Sequence, residues 1–224
     1  MSRVSLLVSS TEQVQGFSPA VKYKYRFPSY EIEDSIRELG YKYIAGVDEV
    51  GRGPGAGPVV ASAIIIPINK ITLFISRIKD SKKLTARKRE FLFKELTTVC
   101  EYGVGKVDNK IIDEINILNA TKRAMTEAIS KINPDFILID GPIKLDGILL
   151  QQKAIINGDN KSISIAAASI IAKVIRDEEM RTLHWIYPEY DFINNKGYLT
   201  PNHIVALKEY GPCKYHRLSF NKVF

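Results

Sequence analysis

Four acidic residues stand where chemistry could be done. Asp48 and Glu49 sit side by side at the end of an apolar run, Asp140 ends another, and Asp159 lies in a loop before a helix. Adjacent side chains in a strand point to opposite faces, so a regular Asp48-Glu49 pair sends one carboxylate into the core. An unpaired ionised carboxylate there costs roughly several kcal/mol. Either the backbone turns, as the glycines of Gly51-Arg52-Gly53 allow, or a cation compensates the charge. The same residues also suit a polar strand end entering a tight turn. On neighbouring parallel strands, Asp48 and Asp140 would lie about 5 Å apart. Converging carboxylates suit hard cations such as Mg²⁺ or Mn²⁺. Paired ions of this kind stabilise both the attacking and the leaving oxygen of a phosphodiester displacement. No Ser-His-Asp spacing, P-loop or dinucleotide fingerprint competes. Metal-dependent phosphodiester chemistry is the expectation.

The elements that must position these acids follow from periodicity. Tyr43–Val47 reads as a buried strand, Val59–Ile66 as a central strand covered on both faces, and Tyr102–Val107 as a third. A fourth runs from Pro134 to Asp140 and a short fifth lies near Ala154–Ile156. Helical spacing marks 29–39 (Tyr30, Ile32, Ile36, Leu39), 85–99 (Phe91, Leu92, Leu96), 109–115, 118–132, a long stretch from near Ser162 to Trp185, and 201–210. The Ala166-Ala167-Ala168-Ser169 segment of the long helix would let it approach a sheet closely. Strands first, then helices alternating with strands, argue for a mixed α/β sheet flanked by helices.

Composition limits the partners. At 224 residues, with 45% hydrophobic and 25% charged residues, the chain suits one ordinary globular domain plus appendages. The 32 Lys+Arg against 25 Asp+Glu give +7, which suggests a polyanionic partner. No apolar run approaches the roughly 20 residues of a membrane span, and no secretory leader is evident, so a cytoplasmic protein is expected. Cys100 and Cys213 suit small buried residues better than a disulfide framework or a zinc site. Residues 1–28 read as an N-terminal extension and 29–224 as the folded domain. Lys22-Tyr23-Lys24-Tyr25-Arg26-Phe27 could touch nucleic acid, or be a solvated tail or edge strand.

Over residues 29–220 the chain resembles the type 2 ribonucleases H (ribonuclease HII), bacterial branch. The resemblance is carried by Ala45–Pro54, Asp80–Leu84, Asn119–Lys122, Ile139–Gly141, Gly158–Ser162, Ala167–Val174, Arg176-Asp177, Lys196–Tyr198 and His216–Phe220. It implies a ribonuclease H-like fold with a five-stranded mixed sheet. It implies an endonuclease that cuts RNA in RNA/DNA hybrids and nicks DNA 5′ of an embedded ribonucleotide, leaving a 5′-phosphate and a 3′-hydroxyl. Asp48, Glu49, Asp140 and Asp159 match the metal-binding acids, for two Mn²⁺ or Mg²⁺ ions. Gly51, Arg52 and Gly53 match the turn that contacts the ribose 2′-hydroxyl, and Tyr198 the aromatic that packs on the next deoxyribose. Ser81, Lys82, Ser169 and Lys173 match positions near backbone phosphates. RNA/DNA hybrid and ribonucleotide-containing duplex DNA are the implied partners, with a monomer expected. Gly55 departs from the bulkier apolar residue usual there, which would loosen the turn.

Other residues have plainer readings. Lys173 and Asp177 could form an exposed i,i+4 ion pair worth about 0.3–0.5 kcal/mol, while Ser169 shares the Lys173 face. His184, His203 and His216 show no ligand spacing and read as surface or packing residues, and Trp185 reads as core. Two rivals remain. A type 3 ribonuclease H would carry a substantial extra N-terminal domain and usually Glu at the fourth acid. A catalytically silent hybrid-binding module would gain nothing from four gathered acids.

Overall fold

The apolar runs of the sequence form one five-stranded sheet. The computed structural model describes residues 27–70, 77–78, 84–221 and 223. The readings of residues 1–26, and those of Ser81 and Lys82, lie outside the described residues. In chain order the elements are α1 (Glu31–Arg37), β1 (Ile44–Val50), β2 (Val59–Ile65), α2 (Ala86–Val99), β3 (Glu101–Val107) and α3 (Asn109–Ile129). Then come β4 (Phe136–Asp140), β5 (Gln151–Ile155), α4 (Ile163–Ile186), the short α5 (Phe192–Asn195), which the sequence pattern does not announce, and α6 (Pro201–Tyr210). The strand order is β3-β2-β1-β4-β5. β1 pairs antiparallel with β2 and parallel with β4, β2 antiparallel with β3, and β4 parallel with β5.

β1 and β2 are covered on both faces, which explains their unbroken apolar runs. On one face Ala45, Val47, Ala61, Ala63, Ile137 and Ile139 pack with Met125 and Ala128 of α3. On the other, Ile64 meets Leu92 and Leu96 of α2 and Ile170 and Ile171 of α4. Each Val, Leu, Ile or Met side chain among them contributes roughly 1.5–3 kcal/mol by leaving water. Close approach needs glycine. A Cβ on Gly46 would lie 2.1 Å from the Ser164 carbonyl carbon in α4, and one on Gly103 would lie 2.1 Å from the Ala128 oxygen in α3. Ala166, Ala167 and Ala168 are fully buried, as the small-residue pattern suggested.

The two helices expected around 109–115 and 118–132 are the two halves of α3, parted at Asn116, whose φ is +65°. The Asn116 Oδ1 accepts from the N–H groups of Leu118 and Asn119 at 3.0 and 3.1 Å, capping the second half. Some side chains depart from their expected places. Trp185 is 72% exposed rather than core: in the last turn of α4 Leu183 is buried and Trp185 faces solvent. Leu39 and Phe91 are likewise exposed, while Tyr30, Ile36, Leu92 and Leu96 point inward. Among the described residues no helix is long and apolar enough to cross a membrane.

Candidate active site

β1 does not turn before its acids; it stays extended through Val50, and the chain leaves it only at Gly51, with φ +95°. Asp48 and Glu49 therefore point to opposite faces. The β1–β4 register ends with Val47 opposite Ile139, so one further step sets Asp48 beside Asp140 at the end of β4. Asp48 is 5% exposed. Its Oδ1 accepts from the Glu49 N–H at 2.8 Å, and the Ser169 hydroxyl of α4 bonds the same carboxylate. Neither partner is a cation. Burial first, then the charges of Glu49 and Asp140, push the Asp48 carboxyl well above the usual carboxylate range. Glu49 is raised by burial and held back by Arg52, whose guanidinium stands 3.2 Å away.

Asp140 ties the second strand end to the loop of the fourth acid. Its Oδ1 accepts from Gly158 N–H at 2.6 Å, and the N–H groups of Gly141 and Asp159 add further bonds. Burial raises its pKa most, those N–H groups lower it, and the Asp159 charge raises it again. Asp159 sits in the single turn Gly158–Asn160, just before the Ser162 cap of α4. The fold thus sets all four acids around one end of the β1–β4 pair. Among the described residues, however, no three His, Cys, Asp or Glu side chains gather closely enough to hold a metal ion. Asp48 and Glu49 leave β1 on opposite faces and Asp159 comes from a separate loop, so the carboxylates are spread around the strand ends. Hard oxygen donors and a buried Asp48 lacking a cationic partner fit a divalent ion.

Behind the acids, two buried arginines brace the glycine turn. Arg217 Nη2 donates to the Gly51 and Gly57 carbonyls at 2.7 and 2.8 Å, Nη1 to the Arg52 carbonyl at 3.1 Å, and Nε to Gly57 at 2.9 Å. Arg176 bonds the Pro58, Ala56 and Lys196 carbonyls at 2.9, 3.2 and 3.0 Å. Both side chains are almost fully buried, and backbone carbonyls take the place of counter-ions. Burial, then the charge of Arg176, holds the Arg217 pKa down at about 9, still protonated at pH 7. Sequence reasoning gave neither arginine a role. Their partners are carbonyls up to 166 residues away, which leave no mark in side-chain spacing.

Tyr198, from a separate stretch of sequence, meets this turn. A Cβ on Gly53 would lie 3.3 Å from the tyrosine Cε1, yet the residue remains 51% exposed. Its backbone is fixed: the N–H donates to Asn195 O and the carbonyl meets His203 Nδ1, both at 2.9 Å. His203 Nε2 faces His216 Nε2 at 2.9 Å, and His216 Nδ1 accepts from Cys213 N–H. With His216 Nδ1 an acceptor, its Nε2 donates to His203, whose Nδ1–H then donates to Tyr198 O. Both histidines are packing residues, as expected. Gly55 does not loosen the turn. Its N–H bonds Gly197 O, its carbonyl accepts from Arg217 N, and Leu199 fills the space a Cβ would take.

Of the residues expected to approach phosphates, Ser169 is placed against Asp48, and Lys173 pairs with Asp177 at 2.8 Å. The pairing matches the plainer of the readings that the sequence left open for Asp177.

Comparison with known proteins shows the family. A family model described as Ribonuclease HII matches residues 45–223. A ribonuclease HII from Ruminiclostridium cellulolyticum is 55% identical over 188 residues, 83% of this chain and 72% of that protein. Among solved structures, ribonuclease HII from Archaeoglobus fulgidus, determined in a complex with PCNA, superposes with a TM-score of 0.69 at 29% identity. The match covers 80% of this chain and 95% of that one. Ribonuclease H2 from Pyrococcus horikoshii gives 0.67 at 30% identity, covering 80% and 94%.

Proposed function

The chain belongs to the ribonuclease HII family, a nuclease of ribonuclease H type, and we propose that besides cutting RNA in RNA/DNA hybrids it nicks duplex DNA 5′ of an embedded ribonucleotide. Residues 29–224 would form the catalytic domain. One observation carries the reading of the junction: the exposed Tyr198 ring stands over Gly53, in the turn that directly follows Asp48 and Glu49. A 2′-hydroxyl is what separates RNA from DNA at a site, and a glycine-lined backbone can approach it without side chains intervening. The aromatic face accepts a deoxyribose and crowds a ribose, selecting partly by exclusion.

Asp48, Glu49, Asp140 and Asp159 would hold a pair of divalent ions, Mn²⁺ or Mg²⁺. When bound, these supply an activated water and stabilise charge on the leaving oxygen. The chain's own residues do the positioning. Ser169 orients Asp48, three backbone N–H groups orient Asp140, and Arg217 holds Gly51 and Arg52. Ser169 and Lys173, with Ser81 and Lys82, would meet backbone phosphates, Lys173 exchanging Asp177 for the substrate. Products with a 5′-phosphate and a 3′-hydroxyl are what the family resemblance implies for this hydrolysis.

The test offers a DNA duplex with one ribonucleotide, with and without Mg²⁺ or Mn²⁺, and maps the cut. A metal-dependent nick 5′ of the ribonucleotide is expected, with Asp140→Asn inactive but still binding the duplex. Cleavage of long hybrids alone would favour a type 3-like specificity. Binding without cleavage would favour the silent module.

A further inference from the structure

The helix preceding the family-matched region carries a buried glutamate whose bonds lead toward the active site. Glu33 of α1 is fully buried. Its Oε1 accepts from the Ser162 hydroxyl at 2.6 Å and from the Ser164 N–H at 3.0 Å. Ser162 caps α4: its hydroxyl oxygen accepts from Ile165 N–H at 3.2 Å, while its proton goes to Glu33. The neighbouring Ser29 adds two backbone bonds, its N–H to Lys161 O at 3.0 Å and its carbonyl from Ile163 N–H at 3.2 Å. Four hydrogen bonds therefore tie residues 29–33 to residues 161–164. All lie within five residues of Asp159.

On the other side of Asp159, Gly158 N–H is fastened to the Asp140 carboxylate at 2.6 Å. The loop acid thus stands between two anchors, one on the second catalytic strand and one on α1. Its own turn, Gly158–Asn160, is a single short 3-10 turn. We propose that Glu33 is a positioning residue for Asp159, so that α1 belongs to the working active site and not merely to the edge of the fold.

A carboxyl group is buried against a helix N-terminus, where its acceptor oxygen satisfies donors the helix leaves open. The contact stabilises α4 and also fixes where the helix begins, just after the Asp159 turn. Burial raises the Glu33 pKa, and the bonds from Ser162 and Ser164 lower it. Either protonation state leaves Oε1 able to accept, so the glutamine amide can reproduce the contact.

The proposal rests on the reading of Asp159 as a metal-binding acid, and the test separates the two. Mn²⁺ binding is titrated calorimetrically without substrate, and amide hydrogen exchange is followed across 157–162. Glu33→Ala is expected to weaken Mn²⁺ binding about fivefold, less than the roughly 10- to 100-fold typical when a partner of the ligand itself is lost. Exchange in 157–162 should quicken, with KM for the duplex unchanged. Glu33→Gln should restore both readouts, and Glu31→Ala, on the exposed side of the same helix, should alter neither. If Glu33→Ala fails to fold, Glu33→Asp, which withdraws the carboxyl by one methylene, carries the comparison. A lowered Tm with unchanged Mn²⁺ binding and unchanged exchange would overturn the role of Glu33 alone. A wild-type chain that binds no Mn²⁺ would overturn the metal reading, and this proposal with it.

Discussion

Gly46→Ala tests whether the distance between α4 and β1 sets the catalytic geometry. A Cβ on Gly46 would lie 2.1 Å from Ser164 C, 2.3 Å from Ile165 N and 2.4 Å from Ser164 O, all backbone atoms that no rotamer change can move. Ordinary contact begins at 3.4 Å, so helix and strand must part by about 3.4 − 2.1 = 1.3 Å. The same helix brings Ser169 to Asp48, and its first turn follows the Asp159 loop. Overpacking of this kind costs roughly 1–3 kcal/mol, a fall in Tm of about 2–12 °C for a chain of this size. A misplacement near 1 Å can cost about 100-fold in rate, a barrier change of about 2.7 kcal/mol. The control is Gly103→Ala, whose Cβ would lie 2.1 Å from the Ala128 oxygen on the other face of the sheet, under α3 and away from the acids. Tm and kcat/KM are measured for both variants well below their melting points. Both should lose stability, and only Gly46→Ala should lose roughly 100-fold in kcat/KM. Equal catalytic losses, or a Gly46→Ala enzyme within about twofold of wild type, would refute the idea that this spacing governs the site.

Tyr198→Ala should lose about 1–3 kcal/mol of substrate interaction, more on a single embedded ribonucleotide than on a long hybrid, while Tyr198→Phe keeps most activity. Comparable kcat/KM losses on both substrates, or a Phe variant as poor as Ala, would assign the ring another role. Arg217→Met removes four donated bonds from the Gly51, Arg52 and Gly57 carbonyls. Leaving buried carbonyls unpaired costs roughly 1–3 kcal/mol each, so Tm and kcat/KM should both fall, and an unchanged kcat/KM would show that the turn holds its shape unaided. His216 supplies a pH signature, because burial first and His203 second hold its pKa down at about 4, against an ordinary 6.5. The folded chain then binds fewer protons than the unfolded one between these values, so this stability is full above pH 6.5 and is lost as pH falls toward 4. The loss amounts to roughly 3 kcal/mol. Tm of wild type should drop more steeply than that of His216→Gln between pH 7 and 5, and parallel curves would contradict the buried neutral pair.

What the sequence determined by itself was local. Apolar runs and helical spacing placed the five strands and the longer helices within a few residues, and the interruption near Asn116 was visible between 115 and 118. These signals survive in one dimension because secondary structure answers to neighbours two, three or four positions away. Asp48 and Asp140 at strand ends, with Asp159 before a helix, were legible for the same reason. Tertiary structure decided which surfaces met. Only the folded chain puts Tyr198 against Gly53, aims Arg217 at carbonyls in the 51–57 turn, seats Glu33 beneath Ser162, and leaves Trp185 in solvent. Each depends on partners 100 or more residues distant, or, for Trp185, on which side of the last α4 turn is buried. Such partners are often backbone atoms that every residue carries alike, so residue type and spacing cannot reveal them.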